Sequence, residues 1–256
     1  MFFVGIDLAW SPRNNTGISI SKGGEVVKLA LVKSDEEIVN TVMEEISNKA
    51  CWIAIDAPLT VPNANGSRPV DKLITRLFRS KHAGCYPANR EILKKYGQGK
   101  LRGEEIVKLL KREGFEENPY AKPRSKTRVL FEVFPHPAIV ELFSLDKILE
   151  YKARKGRTYE YRWKELDKYK KALASLADSE PPFTVPKELL KESKAIGRSL
   201  KNEEDLLDAL LCNYLAYFHW YWGGKKSKVF GDLKSGHIVV PYLYQSVNNF
   251  LPTSSP

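Results

Sequence analysis

Apolar runs separated by short polar turns dominate the first third of the chain. Residues 2–10, FFVGIDLAW, form a β-rich run, and residues 17–21 alternate apolar and polar positions as a half-buried strand does. Residues 25–32, EVVKLALV, form a third β-rich run, which follows a tight turn at Gly23 and Gly24. The pattern predicts a three-stranded antiparallel meander.

A helix and an almost wholly apolar strand are predicted next. Ser34 and Glu37 have the spacing of a capping box, which predicts a helix over about residues 35–47. Residues 51–59, CWIAIDAPL, are typical of a strand buried on both faces of a sheet. Because a helix precedes this strand, we expect the strand to run parallel to an earlier one.

The rest of the chain predicts a long insertion and further core elements. Residues from about 58 to 123 combine turn-rich loops with two helical stretches, which indicates a helical insertion. Residues 127–134, TRVLFEVF, predict another buried strand, and residues 203–222 a long apolar helix. A last β-like run, HIVVPYLY, covers residues 237–244. We therefore predict a single α/β domain over residues 1–256.

The composition is that of an ordinary soluble globular protein. The chain has 256 residues, of which 43% are hydrophobic and 28% charged, and it is long enough to bury a substantial core. No apolar run is long enough to span a bilayer, so no membrane association is expected. The three cysteines are scattered without a C-x-x-C spacing, which indicates neither disulfides nor a zinc site. A reducing cytoplasm is the expected location.

The excess of basic over acidic residues is the main departure from average composition. The formal net charge is +10 and the pI about 9.3. This favours a polyanionic partner such as nucleic acid, although a lysine-rich surface kept for solubility gives the same value. Residues 147–171 interleave Lys and Arg with Tyr and Trp, which suits a nucleic-acid groove with base stacking. A solvated amphipathic helix is the more common explanation of such a segment.

Carboxylates at the ends of apolar strands are the main candidates for chemistry. Asp7 and Asp56 occupy the same relative position in their strands, near the carboxyl end. If these strands are parallel neighbours, they lie about 4.8 Å apart, and the carboxylates converge where open α/β sheets bind ligands. Glu132 lies in a third apolar strand, where a charge is costly to bury without a partner.

The last predicted helix adds two carboxylates. Asp205 and Asp208 are spaced i, i+3, and the small Ala209 favours close approach of Asp208 to the sheet. Clustered oxygen ligands suit Mg²⁺ or Mn²⁺, and two such ions can support phosphodiester cleavage. The predicted catalytic residues and metal ligands are Asp7, Asp56, Glu132 and Asp208, with Asp205 as a further metal ligand.

Each carboxylate also has a simpler explanation. Asp7 could cap the polar turn that follows it, and Asp56 could be an ordinary strand-end residue. Glu132 could pair with a buried Arg or His. Asp205 could be favourable charge near the start of a helix.

Several motifs resemble a known family. They are GIDLAW, IAIDAPL, the R-x-x-D-x-x-x-x-R set of Arg68, Asp71 and Arg76, FEVFPHPA, and EDLLDALLCNYLA. The order of elements resembles the ribonuclease H-like fold, and the whole chain resembles domain-of-unknown-function family 429, described as predicted nucleases of that fold. The resemblance implies a mixed five-stranded sheet of order 3-2-1-4-5 with helices on both faces. It also implies an acidic cluster from the carboxylates above.

Four polar residues near the predicted strand ends are candidates for substrate binding. Arg68 and Arg76 could hold a phosphate through their planar guanidinium groups, or they could tie the insertion to the sheet together with Asp71. His136 could shuttle protons or ligate a metal, or it could be a buried, hydrogen-bonded side chain. The predicted substrate-binding residues are therefore Arg68, Asp71, Arg76 and His136.

Three functions agree with these features. The first is a metal-dependent nuclease, or a related phosphodiester hydrolase, that acts on nucleic acid. The second is a phosphotransferase of the actin and sugar-kinase type, although Trp10 stands where its phosphate hairpin needs a small residue. The third is a non-catalytic module that binds nucleic acid or protein, since a fold does not fix a function. We take the nuclease as the leading hypothesis.

Overall fold

A computed structural model describes residues 1–243, and residues 244–256 lie outside it, including the last residue of the predicted run 237–244. The strands are β1 (Phe2–Asp7), β2 (Thr16–Lys22), β3 (Glu25–Val32), β4 (Cys51–Asp56), β5 (Glu116–Glu117), β6 (Arg128–Glu132), β7 (Ser227–Asp232) and β8 (Gly236–Pro241). The α-helices are α1 (Asp35–Ile46), α2 (Pro69–Phe78), α3 (Arg90–Tyr96), α4 (Arg102–Arg112), α5 (Pro135–Leu142), α6 (Tyr159–Ala174) and α7 (Gly197–Trp222). None of these helices is both long and apolar enough to cross a membrane.

Six of the strands form one mixed sheet in the order β3-β2-β1-β4-β6-β5. The meander β1 to β3 is antiparallel, whereas β4 and β6 run parallel to β1. The fifth strand of the predicted order 3-2-1-4-5 corresponds to β6, so the prediction agrees with the structure from β3 to β6. The prediction lacks the edge strand β5, whose two residues are too few to show an alternation pattern.

Helices cover both faces of the large sheet, as predicted. On one face α7 packs against Phe3, Trp52 and Phe131. On the other face α1 and α4 pack against the alternate residues of the same strands, such as Val4 and Ile53. The capping box of α1 is present, because the Ser34 side chain accepts from the Glu37 amide and Glu37 accepts in return.

The backbone of α7 lies directly on the first two strands. A Cβ atom built at Gly5 would stand 2.0 Å from the Asn213 amide nitrogen, so only glycine allows this approach. The buried Asn213 amide then bridges the layers, since its Oδ1 accepts from Ser21 at 2.8 Å and its Nδ2 donates to Ser19 at 2.9 Å. The helix is therefore fixed to the sheet by both packing and hydrogen bonds.

Three elements differ from the sequence predictions. Helix α7 begins at Gly197, six residues before the predicted residue 203, because the apolar pattern is weak in this first part. Helix α3 was not predicted, since it is only seven residues long. The single β-like run predicted near the end is one strand of a two-stranded hairpin, β7 and β8. The predicted insertion, residues 58–123, contains α2, α3, α4 and β5.

Candidate functional site

Asp7 and Asp56 are direct partners across the parallel strands β1 and β4, as predicted. Both are the last residues of their strands. Gly5 contacts α7, and side chains alternate along a strand, so Asp7 and Asp56 project from the sheet on the α7 side. The structure therefore places two carboxyl groups side by side at the carboxyl edge of the sheet.

Helix α7 adds Asp205 and Asp208 to this edge. Asp208 is 0% and Asp205 2% exposed. Burial raises the pKa of Asp7 well above its ordinary value, with further contributions from the charges of Asp208, Asp56 and Asp205. Burial, together with Asp208 and Glu132, raises the pKa of Asp56 to about 7. The four aspartates form what we call the acidic cluster, and their mutual repulsion calls for a compensating positive charge.

Lys152 supplies a positive charge to the acidic cluster. Its Nζ lies 2.5 Å from Asp208 Oδ2, while the Tyr151 hydroxyl donates to Asp208 Oδ1 at 2.6 Å. Burial lowers the pKa of Lys152, but the carboxylates of Asp208, Asp7 and Asp56 outweigh this effect and hold that pKa well above its ordinary value. The ammonium group therefore contacts Asp208 and lies close enough to Asp7 and Asp56 for their charges to act on it.

The loop between α5 and α6 positions Lys152 through its neighbour Tyr151. The Tyr151 carbonyl accepts from Arg162 Nε at 2.9 Å, and the Tyr151 ring stacks on Tyr169 with 4.9 Å between centroids. Tyr151 is fully buried, whereas the Lys152 side chain is 34% exposed. The backbone of this loop is thus fixed at Tyr151, while the lysine side chain reaches the cluster from the solvent side.

Glu132 forms a buried ion triad with Arg68 and Asp71, next to the acidic cluster and close enough for its charge to act on Asp56. Its register partner on β4 is Ile55, not Asp56, so its side chain leaves the opposite face of the sheet from Asp56. Arg68 donates to both oxygens of Glu132, at 2.6 and 2.9 Å, and to Asp71 at 2.7 Å. Glu132 therefore pairs with a buried arginine, which was the alternative interpretation of this residue from the sequence.

The ion triad is shielded from solvent and tied to the surrounding backbone. Arg68 is 1%, Asp71 2% and Glu132 2% exposed. The Leu59 amide donates to Glu132 at 2.9 Å, and the Glu132 amide donates to His237 Nε2 at 3.0 Å. The triad and the Glu132 backbone therefore join the loop after β4, α2, β6 and the β7–β8 hairpin at the end of the sheet.

The two remaining candidates, Arg76 and His136, lie in different surroundings. Arg76 is exposed on α2 and forms no ion pair within residues 1–243. His136 lies in the first turn of α5, close enough to Lys152 and Asp208 to sense their charges. Burial, with a further contribution from Lys152, lowers the pKa of His136 to about 4, so its imidazole is neutral near pH 7.

Lys152, Tyr151 and His237 were not predicted from the sequence as parts of these two groups. Lys152 and Tyr151 fall in the basic segment 147–171, which looked like a surface because Lys and Arg dominate it. A paired charge on a loop has no periodic pattern, so only the tertiary structure shows its partner. The sequence did not indicate a role for His237 either, because its hydrogen bond from the Glu132 amide forms only when the β7–β8 hairpin packs against β6.

The acidic cluster offers only oxygen donors to a cation. As placed, no group of three or more His, Cys, Asp or Glu side chains in residues 1–243 is arranged to hold a metal ion. Asp208 is buried, its Oδ1 accepts a hydrogen bond from Tyr151, and its Oδ2 is in close ionic contact with Lys152. A cation thus already lies against the cluster, which indicates that the cluster stabilises positive charge.

The fold and site define an α/β protein with a mixed sheet and a carboxylate cluster at the carboxyl ends of its parallel strands. The chain belongs to the family described as "Protein of unknown function (DUF429)", whose model matches residues 5–234. This confirms the family to which the motifs pointed. Neither the curated proteins nor the solved structures contain a match to the chain.

Proposed function

We propose that the protein is a metal-dependent nuclease of the ribonuclease H-like fold, which hydrolyses phosphodiester bonds in nucleic acid at the acidic cluster. The observation that carries this proposal is the register pairing of Asp7 with Asp56, with Asp208 of α7 buried beside them. Carboxylates from neighbouring strands and a packed helix form an oxygen-rich site at the sheet edge where ligands bind. The net charge of +10 suits a polyanionic substrate.

The residues of the acidic cluster fit a hard divalent cation. Their donors are all carboxylate oxygens, which Mg²⁺ and Mn²⁺ prefer, and Asp208 Oδ2 already contacts a cationic group, the ammonium of Lys152. We assign the metal to Asp7, Asp56 and Asp208, with Asp205 beside them. When bound, such an ion supplies Lewis-acid stabilisation of charge on phosphate oxygens and lowers the pKa of a bound water.

The surrounding side chains divide into chemical and structural roles. The neutral imidazole of His136 offers a ring nitrogen beside the cluster as a hydrogen-bond acceptor or metal ligand, while its lowered pKa makes it a weak base. Arg76 is exposed and keeps its guanidinium available for a phosphate oxygen. Arg68 and Asp71 were also predicted to bind substrate. Their charged groups pair within the ion triad instead, so we assign them a structural role at the edge of the sheet.

The test replaces Asp56 with asparagine, which keeps the shape of the side chain and removes its charge. We expect Asp56→Asn to abolish cleavage that depends on Mg²⁺ or Mn²⁺, with a circular dichroism spectrum like that of the wild type. The assay offers single-stranded and duplex DNA, RNA, RNA–DNA hybrid and branched DNA, each with either metal. The matched control is Asp178→Asn, an exposed aspartate outside the cluster, which should cleave as the wild type does.

A failure of cleavage would separate the nuclease from a binding module. If the wild type cuts none of these substrates with either metal, yet binds nucleic acid, the site is non-catalytic and the protein binds without hydrolysis. The basic charge is the observation that favours this second function. Stabilisation by ATP with Mg²⁺ in a thermal-shift assay would point to phosphotransfer instead.

A further inference from the structure

We propose that Lys152 is an internal counter-ion of the acidic cluster, whose ammonium group holds the place of the metal and leaves when Mg²⁺ or Mn²⁺ binds. This inference rests on the proposed function, since it concerns the same site. Together with Lys201, which pairs with Asp205, Lys152 explains how four buried or half-buried aspartates can lie together before a metal binds.

The position of the ammonium group carries the first step. Lys152 Nζ is 2.5 Å from Asp208 Oδ2 and contributes to the charge balance of Asp7 and Asp56 as well. A cation that interacts with these carboxylates from two strands and α7 lies where a bridging divalent ion would lie. The two cations cannot share this position, because their charges repel at contact distance.

The charge imbalance between the lysine and the cluster supports the second step. Asp208 Oδ1 receives a hydrogen bond from Tyr151 and Oδ2 forms an ion pair with Lys152, whose single positive charge also acts on Asp7 and Asp56. An ammonium group donates along three fixed directions, whereas a metal ion accepts ligands from several carboxylates at once. A divalent ion therefore satisfies the cluster better than the lysine does, and the lysine serves as a replaceable partner.

The mobility of the side chain carries the third step. Tyr151 is buried and anchored, but the Lys152 side chain is 34% exposed and ends a flexible four-carbon stem. Residues 153–156 of the same loop are exposed. The ammonium group can therefore swing into solvent without moving the Tyr151 hydroxyl from Asp208, so the site keeps its shape during the exchange.

The experiment titrates Mn²⁺ into metal-free protein by calorimetry. We expect Lys152→Met to bind Mn²⁺ at least about tenfold more tightly than the wild type, because the competing charge is gone. Lys152→Arg keeps the charge and should stay close to the wild type. Lys155→Met removes a neighbouring exposed charge from the same loop and is the matched control, with wild-type affinity expected.

Two further measurements make the result decisive. Without metal, Lys152→Met should melt at a lower temperature than the wild type, and Mn²⁺ should raise its melting temperature by the larger amount. In the wild type, the NMR resonance of the Lys152 ε-methylene should shift when diamagnetic Mg²⁺ is added. This second readout applies even if Lys152→Met does not fold.

The possible outcomes distinguish this inference from the proposed function. If the wild type binds Mn²⁺ and Lys152→Met binds it equally or more weakly, the counter-ion role is wrong and the metal site stands. Bound Mg²⁺ with an unchanged Lys152 resonance would likewise overturn the counter-ion role alone. If neither protein binds Mn²⁺, the metal site itself is absent, and both the inference and the nuclease proposal fail.

Discussion

Arg68 is a single buried side chain on which two acidic residues depend. Its guanidinium pairs with both Glu132 and Asp71 while it is 1% exposed. Neighbouring carboxylates hold its pKa above the ordinary value although burial alone would lower it. Arg68 is therefore the positive charge on which both buried acids of the triad depend.

Removal of Arg68 should be costly for stability. Arg68→Met leaves two buried carboxylates without a counter-charge, and we expect a loss of roughly 3–5 kcal/mol in the free energy of unfolding. Urea unfolding followed by circular dichroism measures this loss. The matched control is Arg76→Met on α2, the helix that Arg68 precedes, where an exposed side chain is replaced and the change should stay within about 0.5 kcal/mol. Equal stabilities for the two variants would show that the triad does not stabilise the fold.

At the residue scale, part of the site could be predicted from the sequence. The pairing of Asp7 with Asp56 was predictable, because each ends an apolar strand and a helical crossover makes those strands parallel. The engagement of Glu132 in the ion triad was not, because a one-residue difference in register sends a side chain to the other face of the sheet. Register is set by neighbouring strands and turns, and the run VLFEVF alone does not specify it.

At the scale of elements, the contact between α7 and the sheet determines whether the acidic cluster forms. Gly5 and Gly17 on adjacent strands both contact the α7 backbone, near Ala209 and Asp205 respectively. Sequence patterns identified α7 and both strands, since each has strong apolar periodicity. They did not identify the glycines as contact points, because a close approach between backbones becomes visible only when both partners are placed.

Substitution of Gly5 should therefore separate the layers. In Gly5→Ala the new methyl group would stand 2.0 Å from the Asn213 nitrogen and 2.1 Å from the Ala209 carbonyl oxygen, both of which are backbone atoms. We expect a loss of about 3 kcal/mol or more, at the upper end of overpacking effects. Thermal and urea unfolding measure it.

A second glycine variant shows whether the Gly5 effect arises from packing. Gly224→Ala places its methyl group in open space and should change the unfolding free energy by less than about 0.5 kcal/mol. A stable Gly5→Ala variant with unchanged Mn²⁺ binding would contradict the close approach of α7 to β1.

At the scale of the whole molecule, the basic charge and the acidic cluster have opposite signs. The net charge of +10 would attract the proposed nucleic-acid substrate at long range, while the four aspartates would repel phosphate at the site itself. Binding should therefore persist when cleavage is lost. In the proposed site, a divalent ion, or Lys152 in its absence, would reduce the local repulsion.

Attraction by the overall basic charge predicts that binding of nucleic acid depends on salt concentration. The dissociation constant of Asp56→Asn for nucleic acid should rise at least about tenfold between 50 and 200 mM salt, as expected when two or more counter-ions are released. Fluorescence anisotropy with a labelled oligonucleotide measures it, and a melting temperature at each salt concentration controls for unfolding. If the dissociation constant does not change with salt, or if no binding is detected, the basic residues do not bind nucleic acid and serve solubility instead.

The bridge between α7 and β2 has a consequence for the order of folding. Ser21 and Asn213, which hydrogen-bond across it, are separated by 192 residues. Contacts of such high sequence separation form late, because a long loop must close before they contribute. Asp7 and Asp56 can pair within the N-terminal meander and β4, but Asp208 joins them only when α7 docks. The acidic cluster is therefore assembled at the end of folding, and incompletely folded chains lack the complete site.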